Sequence, residues 1–448
     1  MNFRNEYLRK LTSAQEAVQM VKSGDRIFYG EFALFPESLD EALAERINDL
    51  KDIYLSGVCA TKMPKVVEQD PNREHVIFND WHFGGVSRSL YKKGLVSYIP
   101  LTYHQGPRII RKYHDVDVTF LCVGPMDKHG YFNFGLANSI TGANISKSKK
   151  IVVEVNENVP YCFGGYYETI HVSMVDKIVE GKNNPLIEIP KSKASSVDVK
   201  IAEQILTTIE DGSCLQLGIG TLPNLIGEMI SKSDLKDLSI HTEMLVDACV
   251  DMYESGKVTG IHKKVDRLKM SYTFALGTRK LYDFLHMNPT CASFPVHYIN
   301  DPDRICRNPK VVAINNAIEI DLFSQVCSES VGYRHISGTG GQLDFILGAF
   351  KSIGGKGIIS LSSTYTDKDG NICSRIVPTL KPGAIVTVPR SIVHYVVTEY
   401  GIVQLKGKST WERAEELINI SHPNFREELI KEAEKMNIWV KSNKKDNY

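Results

Sequence analysis

A glutamate at the end of a short apolar run, with a glycine-rich turn on either side of it in the chain, is the arrangement in this sequence with the clearest chemistry. Leu238 to Met244 reads as a strand that runs into a turn at His241-Thr242-Glu243. Upstream, Leu215-Gln216-Leu217 breaks into Gly218-Ile219-Gly220-Thr221-Leu222-Pro223, a strand that gives way to a glycine loop and then a helix. Downstream, Ser337 to Phe345 holds a second glycine loop, Gly338-Thr339-Gly340-Gly341. Glycine loops and helix starts leave backbone amides free to face an anion. Amides aimed at a developing oxyanion lower the barrier to acyl transfer. The pattern therefore points to a carboxylate nucleophile served by exposed backbone amides.

Other readings fit parts of the same stretch. His241 and Glu243 stand at i and i+2, on one face of a strand, and could supply two metal ligands. His-x-Glu also occurs in zinc deaminases, but no Pro-Cys-x-x-Cys follows here. A purely structural glutamate suits the spacing as well. Asp247 and Asp251 read as solvent-facing or as caps of the next helix. Glu329, in Ser328-Glu329-Ser330-Val331-Gly332, is a rival nucleophile, since it too follows an apolar segment and precedes a glycine. The chain has no Gly-x-x-x-x-Gly-Lys-Ser/Thr loop and no Gly-x-Ser-x-Gly, which argues against ATP-driven activation and against a serine hydrolase. Gly218 to Pro223 also lacks the third glycine of a dinucleotide fingerprint.

The elements that must position these residues alternate between helix and strand. Ser13-Ala14-Gln15-Glu16 has the form of a capping box. Ala14, Ala17, Val18 and Val21 follow at helical spacing, and Arg26 to Gly30 reads as a strand. Val116 to Val123 and Lys150 to Val155 are near-continuous apolar runs, as central parallel strands require. From Gly181 to Lys200 the pattern lapses, and then helix, glycine turn and strand return at Ala202 to Gly218. Val311 to Asn315, Gly357 to Leu361 and Ala384 to Val388 read as further strands, and Ser409 and Asn424 open helices. The expected architecture is two similar doubly wound, open-sheet α/β domains, residues 1–185 and 201–448, joined by a linker over 186–200. Ligands in such sheets sit beyond the carboxyl ends of strands, where Gly218 and Glu243 fall.

The 448 residues suffice for two or three cores. Lys plus Arg and Asp plus Glu number 53 each, so no net field favours nucleic acid or an anionic membrane. Nine cysteines are scattered without a Cys-x-x-Cys pair, which speaks for a reducing cytoplasm. The N-terminus has no signal-peptide pattern, and no run approaches the roughly 20 apolar residues of a membrane span.

Taken together, the motifs resemble the family I coenzyme A transferases of the acetyl-CoA hydrolase/transferase family, nearest to its butyryl-CoA:acetate and 4-hydroxybutyrate branch. The resemblance runs through Pro125-Met126-Asp127-Lys128-His129-Gly130-Tyr131-Phe132-Asn133-Phe134-Gly135, Val153-Glu154-Val155-Asn156-Glu157-Asn158, Tyr395-Val396-Val397-Thr398-Glu399-Tyr400-Gly401 and Ile420-Ser421-His422-Pro423. It implies that Glu243 becomes a glutamyl-CoA thioester. It implies coenzyme A contacts at Gly218, Ile219, Gly220, Thr221 and Leu222, and further ones at Ile318, Gly341 and Lys368. The family's 4-hydroxybutyrate branch tends to carry Asp where this chain has Glu329, so the likeness leans towards butyryl-CoA and acetate. Coenzyme A would then be substrate, with no permanently bound cofactor and no metal, and the protein a homodimer or an assembly of dimers. Because water would destroy the intermediates, Glu243 is expected deep in a cleft between the halves, capped by Gly338 to Phe345. Phe28, Tyr29, Phe32, Trp81, His82 and Phe83 are candidates for the acyl pocket. An acyl-CoA hydrolase on the same site, and a non-catalytic effector-binding protein on a similar scaffold, are the rival readings.

Overall fold

The computed structural model describes residues 3–189, 193–218 and 220–438. Two sheets organise it. The first holds seven strands: β1 (Arg26–Glu31), β2 (Ile53–Val58), β3 (Val76–Asp80), β4 (Val96–Tyr98), β5 (Val116–Val123), β6 (Ser148–Val155) and β7 (Lys177–Glu180). Their spatial order is β4-β3-β2-β1-β5-β6-β7, and every pairing is parallel. The apolar runs have a direct cause: alternate residues enter different cores. Ile27 and Tyr29 pack with Val118, Phe120 and Val152 on one face. Phe28, Leu121, Val153 and Val155 pack on the other.

The second sheet holds β8 (Cys214–Leu217), β9 (Ser239–Ile240), β10 (Val311–Asn316), β11 (Lys356–Ser360), β12 (Tyr395–Thr398) and β13 (Gly401–Gln404). Its order is β9-β8-β10-β11-β12-β13, parallel except for the β12–β13 hairpin at its edge. Leu215, Leu217, Val312 and Ile314 belong to the same apolar cluster as Phe28 and Val153, so the two doubly wound units share one core. Backbone bonds stitch the halves together as well. Asn138 and Ser139 both donate to the Thr273 carbonyl (3.1 and 3.2 Å), and Ala275 donates to Leu136 (2.8 Å).

In each sheet the strand order reverses once, between β1 and β5 and between β8 and β10. Such reversals open a crevice at the carboxyl ends of the strands. Here the two crevices meet over a single cavity of about 270 Å³. Phe32, Val58, Cys59, Trp81 and His82, just beyond β1 to β3, form one wall; Leu217, Gly218, Asn315 and Asn316, at the ends of β8 and β10, form the other. Phe32 stacks on Phe274 across the interface, with ring centroids 3.6 Å apart.

Three expectations from the sequence need correction. Ala384 to Val388 is not a strand: only Val388 forms a bridge, with Val326, and Ile385 donates to the Ser330 hydroxyl instead of to a ladder. The segment satisfies its apolar residues by burying Val388 alone and leaving Ile385 and Val386 partly exposed. Asp247 is buried rather than solvent-facing, because its carboxylate accepts the backbone amide (3.0 Å) and hydroxyl of Thr278. Phe28, Tyr29 and Phe83 are core residues and take no part in the wall of the cavity that holds Glu243. Tyr29, for instance, donates its hydroxyl to Asp40 (2.8 Å).

Candidate active site

Glu243 stands in a gap between two short pairings. Ser239 and Ile240 pair with Cys214 and Leu215, and Met244 and Leu245 pair with Phe274 and Ala275. Between them the main chain is pinned. His241 N donates to Leu215 O (3.1 Å), and the Thr242 hydroxyl bonds Met244 O (3.0 Å) and Leu217 O (3.3 Å). The Glu243 carbonyl accepts the amides of Thr273 and Phe274 at 3.0 and 3.2 Å. A pinned backbone thus presents the one acidic side chain that lines the cavity among the described residues.

Two donors hold its carboxylate. Asn300 Nδ2 lies 2.5 Å from Glu243 Oε2, and the Gly341 amide adds a backbone hydrogen bond. Gly341 leaves room for the site: a Cβ there would overlap both Glu243 Oε2 and Asn300 Nδ2, so one of the two side chains would have to shift. Gly340 has a conformational reason to be glycine, since its φ is +51°. Burial raises the Glu243 pKa from 4.5 to about 7. The nearby Asp344 charge adds to this rise, while Asn300 and the Gly341 amide oppose it.

The loop carrying Gly341 is tied down from both halves. Tyr103 N donates to Gly340 O (3.1 Å), Thr339 N donates to the Tyr98 hydroxyl (3.0 Å), and Arg88 reaches Ile336 O (3.0 Å). Glu329, the rival carboxylate, belongs to this tether. Its carboxylate accepts the Thr339 hydroxyl (3.1 Å), and its carbonyl accepts Ile336 N (2.7 Å) and Ser337 N (3.2 Å). Glu329 is itself buried and is not part of the cavity wall.

The metal-ligand reading of His241 has no geometric support. The His241 ring is buried, its Nε2 bonds Ile299 O (2.8 Å), and burial pushes its pKa down to about 3. Among the described residues no group of three His, Cys, Asp or Glu side chains could hold a metal ion.

Of the coenzyme A contacts implied by resemblance, Gly218 and Gly341 line the cavity with Glu243. Ile219 lies outside the described residues. Gly220, at φ +116°, precedes the helix α1 (Thr221–Ser231), whose first turn accommodates Pro223, and Leu222 is buried. Ile318 is half-buried, with its carbonyl bonded to Arg375 (2.9 Å), and Lys368 is exposed in a hairpin turn; neither lines the cavity. Sequence reading missed Asn300 and the residues behind it, Asp344 and His104. Asn300 directly precedes Asp301-Pro302, a helix start that advertises a cap and not a catalytic neighbour.

Comparison with known proteins agrees with this architecture. The acetyl-CoA hydrolase/transferase N-terminal domain matches residues 1–190, and the C-terminal domain of the same name matches residues 277–433. The chain belongs to the acetyl-CoA hydrolase/transferase family and is a CoA-transferase. It is 49% identical to the butyryl-CoA:acetate CoA-transferase of Anaerostipes caccae, covering 99% of this chain and 100% of that one. It is 48% identical to the probable butyrate:acetyl-CoA coenzyme A-transferase of Syntrophomonas wolfei, over 98% of each. The crystal structure of RipA from Yersinia pestis superposes with a TM-score of 0.89 at 37% identity, over 98% of this chain and 100% of that one.

Proposed function

We propose that the protein moves coenzyme A from butyryl-CoA, or a similar short-chain acyl-CoA, to acetate, in a ping-pong reaction carried by Glu243. One observation carries this reading: among the described residues Glu243 is the only carboxylate lining a mainly apolar cavity, and it is met there by the Asn300 and Gly341 donors. The ionised carboxylate attacks the thioester carbonyl, breaks the C–S bond and forms an acyl–glutamyl anhydride with free coenzyme A thiolate. The thiolate attacks the Glu243 carbonyl, releases the first carboxylic acid as its carboxylate and leaves a glutamyl-CoA thioester. The incoming acetate reverses both steps. When the thiolate adds to the Glu243 carbonyl the oxyanion develops on a Glu243 oxygen, for which the Asn300 and Gly341 donors already aimed at that carboxylate are suitable. Thioester is exchanged for thioester, so the scheme uses no ATP, metal or resident cofactor.

The composition of the cavity supports a monocarboxylic acyl group. Among the described residues that line it there is no Lys or Arg, so a second carboxylate, as in a succinyl group, would be buried there without a basic partner. 4-Hydroxybutyrate as substrate, and hydrolysis in place of transfer, are tested together. Butyryl-CoA is offered with a panel of acceptor acids, and coenzyme A release is followed with and without acceptor. Rapid formation of acetyl-CoA with little free coenzyme A supports the reading; free coenzyme A released without any acid as fast as acetyl-CoA forms with acetate refutes it.

A further inference from the structure

Behind the Glu243–Asn300 pair stands a second buried carboxylate that the reaction scheme does not use. Asp344 lies in the first turn of the helix α2 (Gln342–Lys351), which follows directly on the Gly340-Gly341 loop. It is buried to 1% exposure, yet the side chain that pairs with it comes from the other half of the molecule. His104 Nδ1 lies 2.7 Å from Asp344 Oδ1, and His104 N donates to Asp344 Oδ2 at 3.1 Å. The neighbouring amide, Tyr103 N, donates to Gly340 O. The segment 103–104 therefore grips the loop and the helix start with two backbone donors and one ring.

Asn300 stands between the two carboxylates. Its Nδ2 bonds Glu243 Oε2, and its side chain also lends a hydrogen bond to Asp344, favouring the charged form. Its Oδ1 is buried with no partner among the described residues, so the amide is held by what it donates. Two anions near one amide compete for it, and each makes the other harder to ionise. A cation or strong donor on the far side of Asp344 relieves that competition. His104 occupies that place, with Asp301 the other acid acting on it. Other ionisable groups around the site include Tyr103, whose buried hydroxyl bonds Ser139, His82, which burial keeps neutral, and Cys59, whose thiol pKa burial pushes up to about 12.

We propose that His104 and Asp344 are positioning residues for the transfer reaction. The pair spans the interface, fixes the donor that orients Glu243, and sets how readily Glu243 ionises. This inference rests on Glu243 being the nucleophile. It gives the interface a function beyond enclosing the cavity: the nucleophile on one half becomes fully competent only when the other half supplies His104.

The test is the pH dependence of kcat/KM for butyryl-CoA in Asp344→Asn, His104→Gln, the double variant and the parent, with Glu243→Gln alongside. Removing the Asp344 charge should move the acid limb to lower pH, and removing His104 while keeping Asp344 should move it to higher pH. Each shift should be on the order of one pH unit. On the Asp344→Asn background, His104→Gln should add no further displacement. Opposite shifts are not produced by simple loosening of the fold. Acid limbs that stay in place, or move the same way in both single variants, overturn the proposal. If Asp344→Asn does not fold, His104→Gln decides alone: a limb at higher pH upholds the inference and an unmoved limb refutes it. If Glu243→Gln keeps parental activity, the nucleophile reading itself has failed; if it is inactive while the limbs are unmoved, only this inference has.

Discussion

Asn300 Nδ2 sits 2.5 Å from Glu243 Oε2, although 57 residues of chain separate the two. His241 accounts for the contact. Its ring bonds the carbonyl of Ile299 at 2.8 Å, so the strand that delivers Glu243 also fixes the backbone immediately before Asn300. The histidine of the His-Thr-Glu run is thus a buried brace, and only the glutamate of the three lines the cavity.

Asn300→Ala should lower kcat by about 10²-fold, the usual loss when one donor to a reacting oxygen is removed. The KM for acyl-CoA should change far less, because the amide bonds Glu243 and Asn300 itself is not part of the cavity lining. Steady-state kinetics checks the split between kcat and KM.

Gly341→Ala should be equally damaging for a different reason. The added methyl would overlap Glu243 Oε2 and Asn300 Nδ2, so one of them must move. The backbone φ of −94° suits an alanine, and the folded protein should form. Circular dichroism of parental shape with a kcat loss of about 10²-fold is the expected pair of results.

Glu329→Gln should leave activity within about tenfold of the parent, because its carboxylate bonds the hydroxyls of Thr387 and Thr339 and takes no part in the cavity wall. A loss of several orders of magnitude would return Glu329 to the role of nucleophile.

Burial holds Glu243 near 7, well above its usual 4.5, and this fixes the sign of two pH effects. The ionised form attacks, so kcat/KM should rise with pH through about 7. For stability the folded state binds the proton more tightly than the unfolded chain does. The associated stability is therefore complete below about 4.5 and is lost as pH rises through about 7. Glu243→Gln should raise Tm at about pH 8 and change it little at about pH 4, which differential scanning calorimetry reads directly.

Much of this arrangement is legible in the sequence because it is encoded locally. The Val116–Val123 and Ser148–Val155 runs are apolar on both sides of the pleat because two cores flank the first sheet. The capping boxes at Ser13 and Ser409 form as their spacing requires. Glu243 and the glycines at 218 and 341 do meet at one cavity. What escapes is whatever depends on contacts between distant segments. Asp247 looks like a surface residue until Thr278 covers it, and Asn300, Asp344 and His104 carry no motif at all. Their significance comes from an interface that brings residues 104, 243, 300 and 344 together, and no local pattern records that meeting.

The most direct test of the account is to trap the acyl-enzyme. The protein is incubated with butyryl-CoA, quenched with hydroxylamine or borohydride, digested and mapped by mass spectrometry. The account predicts a hydroxamate or a reduced side chain on Glu243, absent without butyryl-CoA and absent in Glu243→Gln. Modification at Glu329 or at any other residue, or full transferase activity with no trapped species, would contradict it.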